Sequence, residues 1–150
     1  MNFNFFLSKK IFVLFLILFS LTSFELLAAN RFWVATNDGT TKYYDDTANW
    51  SNTSGGNGGF SIPGQNDIVK FDSGSSVTCT IKKGAKAKQL KIMPSFNGTV
   101  KINDGKTLRI TKHLAIYGSS TLLVGTNSQL FTNKDTAWSD ILVIISLLLL

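Results

Sequence analysis

The chain is poor in the side chains from which most enzyme sites are built. Its 150 residues hold one cysteine, Cys79, and one histidine, His113. An internal disulfide framework, a multi-cysteine metal site and any site built on several imidazoles are therefore excluded. The only glutamate is Glu25, so every acid beyond residue 29 is an aspartate, and these sit in turn-like stretches. Glycosidase chemistry needs two positioned carboxylates, and Asp45 and Asp46 are the only adjacent pair. A Gly-x-Ser-x-Gly nucleophile elbow is missing, and the run Gly55–Gly59 lacks the lysine and the strand-to-helix setting of a phosphate loop. The chain is expected not to be an enzyme and to hold no cofactor or metal.

What is present begins with a targeting signal. Residues 1–29 read as a secretory signal peptide: Lys9 and Lys10 are its positive region, and Ile11 to Leu21 its apolar core, interrupted only by Ser20. Leu27-Ala28-Ala29 then offers small residues for cleavage, placed after Ala29. The apolar core is shorter than the roughly 20 residues that a spanning helix needs. Losing Lys9, Lys10 and Glu25 takes the formal charge from +6 to +5. A secreted or cell-surface protein is expected.

Residues 135–150 form a tail in which Ile141 to Leu150 is apolar except for Ser146. It is too short to cross a bilayer as a helix and too apolar to lie exposed. A buried last strand or helix, a membrane-associating tail and the cut-off start of something longer all fit it. A missing continuation is the expectation.

From Val77 onward the sequence alternates with period two. Val77, Cys79 and Ile81 share one face, and the pattern recurs in Leu90/Ile92, Val100/Ile102, Leu108/Ile110, Leu114/Ile116 and Leu122/Val124. Thr78, Thr80, Lys91, Thr99, Lys101, Thr107, Arg109 and Thr111 are the outward positions. Cys79 reads as a small core residue, and His113 as a surface one. A longer period overlies this. Units starting at Cys79, Val100 and Leu122 each run apolar-x-apolar, then a polar or glycine turn, then a second apolar-x-apolar strand. Such a spacing of 21 to 22 residues suits the coils of a right-handed parallel β-helix over residues 77–134, with Leu114-Ala115-Ile116 as a third strand. The alternative is an antiparallel β-sandwich, because Asn97-Gly98 and Asp104-Gly105 also suit hairpin turns.

Residues 30–76 then become an N-terminal cap. A first coil left open would expose apolar ends and unpaired strand edges, so solenoids begin with covering structure. Trp33, Trp50, Pro63, Asp67 and Phe71 are its expected structural residues, with each indole N–H needing a partner. The run Ser54–Gly59 is expected to bulge freely outward. Asp45, Asp46 and Asn49 offer oxygen ligands, but a spaced Ca²⁺ loop ending in glutamate is missing, so loop capping is their expected role.

With these residues in view, the chain resembles the starts of bacterial secreted and cell-surface β-helix proteins, both autotransporter-like passengers and adhesin-like repeat proteins. The resemblance rests on the signal peptide, Trp33, Asn49-Trp50-Ser51, the glycine-rich loop, Pro63, and Asp67-x-Val69-x-Phe71 ahead of repeats rich in Gly, Thr and Asn. It also looks like the glycine-rich extracellular domain of some hyaluronan-processing and ciliary surface proteins. The chain is far shorter than full-length members and has neither a membrane barrel nor a sorting signal after the repeats. The resemblance implies architecture and location more than activity: a non-enzymatic adhesin-like or structural role.

Charge offers one further clue. Nine cations from Lys82 to Lys112 are interrupted by a single acid, Asp104. Lys82, Lys83, Lys91, Lys101 and Arg109 are candidates for binding a polyanion such as an acidic polysaccharide, with Lys91, Lys101 and Arg109 lining up from coil to coil. Aromatics interleaved for base stacking are missing here, which argues against dedicated nucleic-acid recognition. A polyanion-binding module of a polysaccharide-processing protein is therefore the alternative function. Asn49, Asn52 and Asn97 head Asn-x-Ser/Thr sites, which would be glycosylation candidates in a eukaryotic secretory route.

Overall fold

A computed structural model describes residues 28–132 and the backbone of one further strand, Val143–Ile145. The expected signal peptide up to Leu27 and most of the apolar tail lie outside the described residues. The described chain is all-β, with one 3₁₀ turn at Thr47–Asn49 as its only helical piece. Its strands are β1 (Asn30–Trp33), β2 (Lys42–Tyr43), β3 (Trp50–Ser51), β4 (Ile68–Phe71), β5 (Cys79–Ile81) and β6 (Ala85–Ile92). They continue as β7 (Thr99–Ile102), β8 (Thr107–Ile116), β9 (Thr121–Val124), β10 (Gln129–Thr132) and β11 (Val143–Ile145).

Two sheets form, neither closed on itself. The larger runs β10-β8-β6-β4-β1-β3 and the smaller β11-β9-β7-β5-β2. From β5 onward each strand lies in the other sheet from the one before it, and from β6 onward each pairs in parallel with the strand two earlier. Cys79 thus pairs with Val100, and Val100 with Leu122, the three positions whose spacing stands out in the sequence. Among the described strands only β1 and β3 pair antiparallel. The hairpins of the sandwich alternative do not form. Asn97-Gly98 and Asp104-Gly105 instead carry the chain from one sheet to the other, between β6 and β7 and between β7 and β8.

Parallel partners in register point the same way, so each inward side chain sits in a row of inward side chains. Val69, Leu90 and Leu114 make one row, and Phe71, Ile92 and Ile116 the next. All six are buried, as are Cys79, Ile81, Val100, Ile102, Leu108, Ile110, Leu122 and Val124. Burying a side chain of this size is worth about 1.5–3 kcal/mol, and here it takes a neighbour on either side in the row. Thr80 departs from the expected outward pattern, being only 6% exposed. It stands in a row between the larger Tyr43 and Lys101.

The turns stack as well as the strands. Gly125 N–H donates to Ile102 O at 2.9 Å and Gly105 N–H to Thr126 O at 2.9 Å, while Ser128 Oγ donates to Asn103 O at 2.7 Å. Gly105 and Asn127 each follow the first residue of their unit by five positions, and both are left-handed, with φ of 66° and 55°. Glycine reaches this region without a Cβ clash, and asparagine is the side-chain-bearing residue that best tolerates it.

Candidate functional site

At the start of the fold sits a buried aromatic box. Trp33 and Trp50 are paired across β1 and β3, with ring centroids 5.1 Å apart and planes at 68°. Tyr44 packs on Trp50 at 5.0 Å, and Phe71 lies 5.9 Å from both indoles and 5.2 Å from Phe96. Edge-to-face pairs at such distances add about 0.5–1.5 kcal/mol each beyond area burial. Both indoles find the partner that burial demands: Trp33 Nε1 donates to Val77 O at 2.8 Å and Trp50 Nε1 to Tyr44 O at 2.7 Å. Tyr44 Oη donates to Lys86 O, and burial holds its phenol well above the ordinary range. Both indoles are fully buried, which leaves the box no ring face open for a ligand.

The other expected cap residues hold the surrounding loops. Pro63 is buried. Asp67 accepts from Gly64 N–H at 2.8 Å and from Ala29 N–H at 3.3 Å, and its carbonyl accepts from the amides of Lys88 and Gln89. Phe71 and Asp67 belong to the parallel stack as much as to its cover, since β4 already pairs with β6, β1 with β4 and β2 with β5. The parallel pairing therefore begins ahead of residue 77. The glycine run is not a free bulge. Gly59 N–H donates to Thr47 O and Phe60 N–H to Trp50 O, and Gly58 lies against the carbonyl of Ala48.

Asp45, Asp46 and Asn49 turn to three different partners. Asp46 Oδ1 caps the 3₁₀ turn by accepting from Ala48 N–H. Buried Asn49 donates to Tyr43 O. Asp45 faces the Lys83 and Lys82 ammonium groups at 3.1 and 3.9 Å. Beside them is a polar cleft of about 580 Å³ lined by Asp38, Lys42, Asp46, Asn49 and Gly55–Gly58. Lys42 closes on Asp38 at 2.6 Å and, with Thr40, holds that carboxyl well below the ordinary carboxylate range. Among the described residues no group of three or more His, Cys, Asp or Glu side chains gathers as metal ligands.

The expected cationic strip is rearranged. Lys82 and Lys83 are committed to Asp45, and Lys82 also sits 3.6 Å from the Tyr43 ring centre. Lys101 lies in the smaller sheet, in a row with Thr80 and Leu123. Lys91 and Arg109 share the larger sheet but occupy different rows. Lys91 pairs with Lys70, and Arg109 with Lys86. Lys91, Lys101 and Arg109 therefore do not line up, because the units hold two strands each and the three cations fall on different ones. Lys70 and Lys86, outward neighbours of Val69 and Ala87, complete the rows that do form. Their alternation was visible in the sequence, but their partners were not.

His113 is half-buried, in a row with Gln89 and Ile68. Cys79 is fully buried, and burial, reinforced by the Asp45 charge, pushes its thiol up out of the reactive range. Comparison with protein-family models, with curated proteins and with solved structures finds no match to this chain.

Proposed function

We propose that this chain is the capped start of an exported right-handed parallel β-solenoid, with a non-enzymatic structural or adhesin-like role. The observation that carries the reading is the row Cys79–Val100–Leu122: three consecutive units place the same position one strand further along the same sheet. Strands that return to one sheet after a crossover do so right-handedly in nearly all proteins. The aromatic box and the antiparallel β1–β3 pair at one end fit the role of cover for the first coil. Export follows from the residues before Ala29, and surface or extracellular placement from export.

The test is localisation of the full chain in a bacterial host. The reading predicts a processed protein in the medium, or on the cell surface where added protease reaches it. Retention inside the cell as the unprocessed chain contradicts it.

A polyanion-binding module is the second reading, supported by one specific observation. The described strands of the two sheets carry cations but not a single aspartate or glutamate.

A further inference from the structure

The larger sheet holds most of the strand cations. Lys70 and Lys91 are registered neighbours on β4 and β6, and Lys86 and Arg109 on β6 and β8. The register slips between Ala87 and Gln89, where Lys88 on β6 faces the two residues Thr111 and Lys112 on β8. Adjacent strands lie about 4.8 Å apart, well inside the roughly 8 Å over which physiological salt screens a charge, so the fields of neighbouring cations add. The ion pairs among the described residues engage Lys42, Lys82 and Lys83 and none of these six. The two acids flanking β4 are turned to backbone amides, Asp67 to those of Gly64 and Ala29 and Asp72 to that of Gly74.

Two aromatic rings border this surface, each with a cation over its face. Lys70 Nζ lies 4.9 Å from the centre of the Phe32 ring, and the Arg109 guanidinium 4.8 Å from that of Phe131. Phe131 is 41% exposed. The rings stand on β1 and β10 with three strands between them, about 19 Å across the strands at ordinary spacing, and their rows meet β8 at different places, Ala115 and Arg109. Successive nucleic-acid bases stack on rings within reach of one another, and these are not. Five of the six cations are lysines, point charges that suit dispersed carboxylates better than the bidentate phosphate grip of arginine.

We infer that the surface formed by Lys70, Lys86, Lys88, Lys91, Arg109 and Lys112 binds an extended acidic polysaccharide, with Phe131 as a platform at its edge. This inference rests on the polyanion reading, and names its face and its ligand class. The polymer runs obliquely over the strands, so that its carboxylates meet Lys70–Lys91 on one side of the slip and Lys86–Arg109 on the other.

The test uses the full chain with carboxymethyl-dextran, uncharged dextran and poly(dT) as probes, in low salt. The expected result is binding to carboxymethyl-dextran and not to dextran, weakened by added salt. Reversing Lys70 and Lys91, or Lys86 and Arg109, to glutamate lowers affinity by about tenfold or more, while Lys101→Glu changes it by less than about threefold. Protection of Lys70, Lys86 and Lys91 from acetylation by bound polymer reads the same face in the unaltered protein, whether or not the variants fold. No binding to carboxymethyl-dextran overturns the polyanion reading and this inference together. Binding that the reversals and the protection pattern leave untouched overturns the inference alone. Tighter binding to poly(dT) than to the acidic dextran overturns the ligand class.

Discussion

Trp33 and Trp50 stand directly opposite each other across the antiparallel pair β1–β3, edge to face, each donating its indole N–H to a backbone carbonyl. Removing either ring opens a cavity and orphans a carbonyl. Trp50→Ala should therefore cost about 3–5 kcal/mol, read from urea unfolding followed by far-UV circular dichroism. Trp50→Phe should lose less, because it keeps the aromatic contacts and forfeits the bond to Tyr44. Near-wild-type stability in Trp50→Ala would contradict a structural role for the box.

Cys79 and Tyr44 are neutral and buried, with pKa values raised by burial, so each favours folding only while it stays protonated. Their contribution to stability should be flat below the ordinary thiol pKa of about 8.5 and fall above it, with a second decline beyond about 10 from Tyr44. Cys79→Val should remove the first decline. The native thiol should also resist alkylation at pH 8 and react only on unfolding, as intact mass will show.

Much of this fold was legible in the sequence, and for a definite reason. Alternation fixes which side chains point inward, and Cys79, Val100 and Leu122 carry it at a constant spacing that survives into the register. What could not be read was which outward residues meet. That depends on assigning each strand to one of two sheets, and on the irregularity at Lys88. A shift of one strand moved Lys101 to another sheet and replaced it with Lys70 and Lys86. The cap residues were visible as aromatics and turn formers. The pinning of the glycine run was not, because it depends on backbone approach between Gly58 and Ala48.

Stacked turns make a contrast between glycines. A Cβ on Gly125 would lie 2.7 Å from Ile102 O and 2.5 Å from Asp104 Oδ1, whereas one on Gly84 meets nothing nearer than Thr107 O at 3.9 Å. Gly125→Ala should cost about 1–3 kcal/mol through overpacking. Gly84→Ala should stay within about 0.5 kcal/mol of the parent. Thermal unfolding of the two variants side by side decides it, and equal effects would contradict the stacking of turns.

On the export reading, the structure sharpens the processing site. Ala29 O accepts from Ile68 N–H at 2.8 Å, and Ala29 N–H donates to Asp67. Cleavage after Ala29 would discard both contacts, whereas cleavage after Ala28 keeps them and sets a new ammonium against the Asp67 carboxylate. Amino-terminal sequencing of exported protein should begin at Ala29, and Asp67→Asn should then lower its stability. A first residue of Asn30 would contradict this refinement.

The central claim is that the units stack in parallel, each strand upon its counterpart one unit earlier. Backbone NMR of the isotope-labelled protein tests it most directly through interstrand amide contacts. The account predicts contacts linking Cys79 to Val100 and Val100 to Leu122, with none joining β6 to β7 or β7 to β8 as hairpin partners. Amide contacts that run antiparallel between those consecutive strands would contradict it.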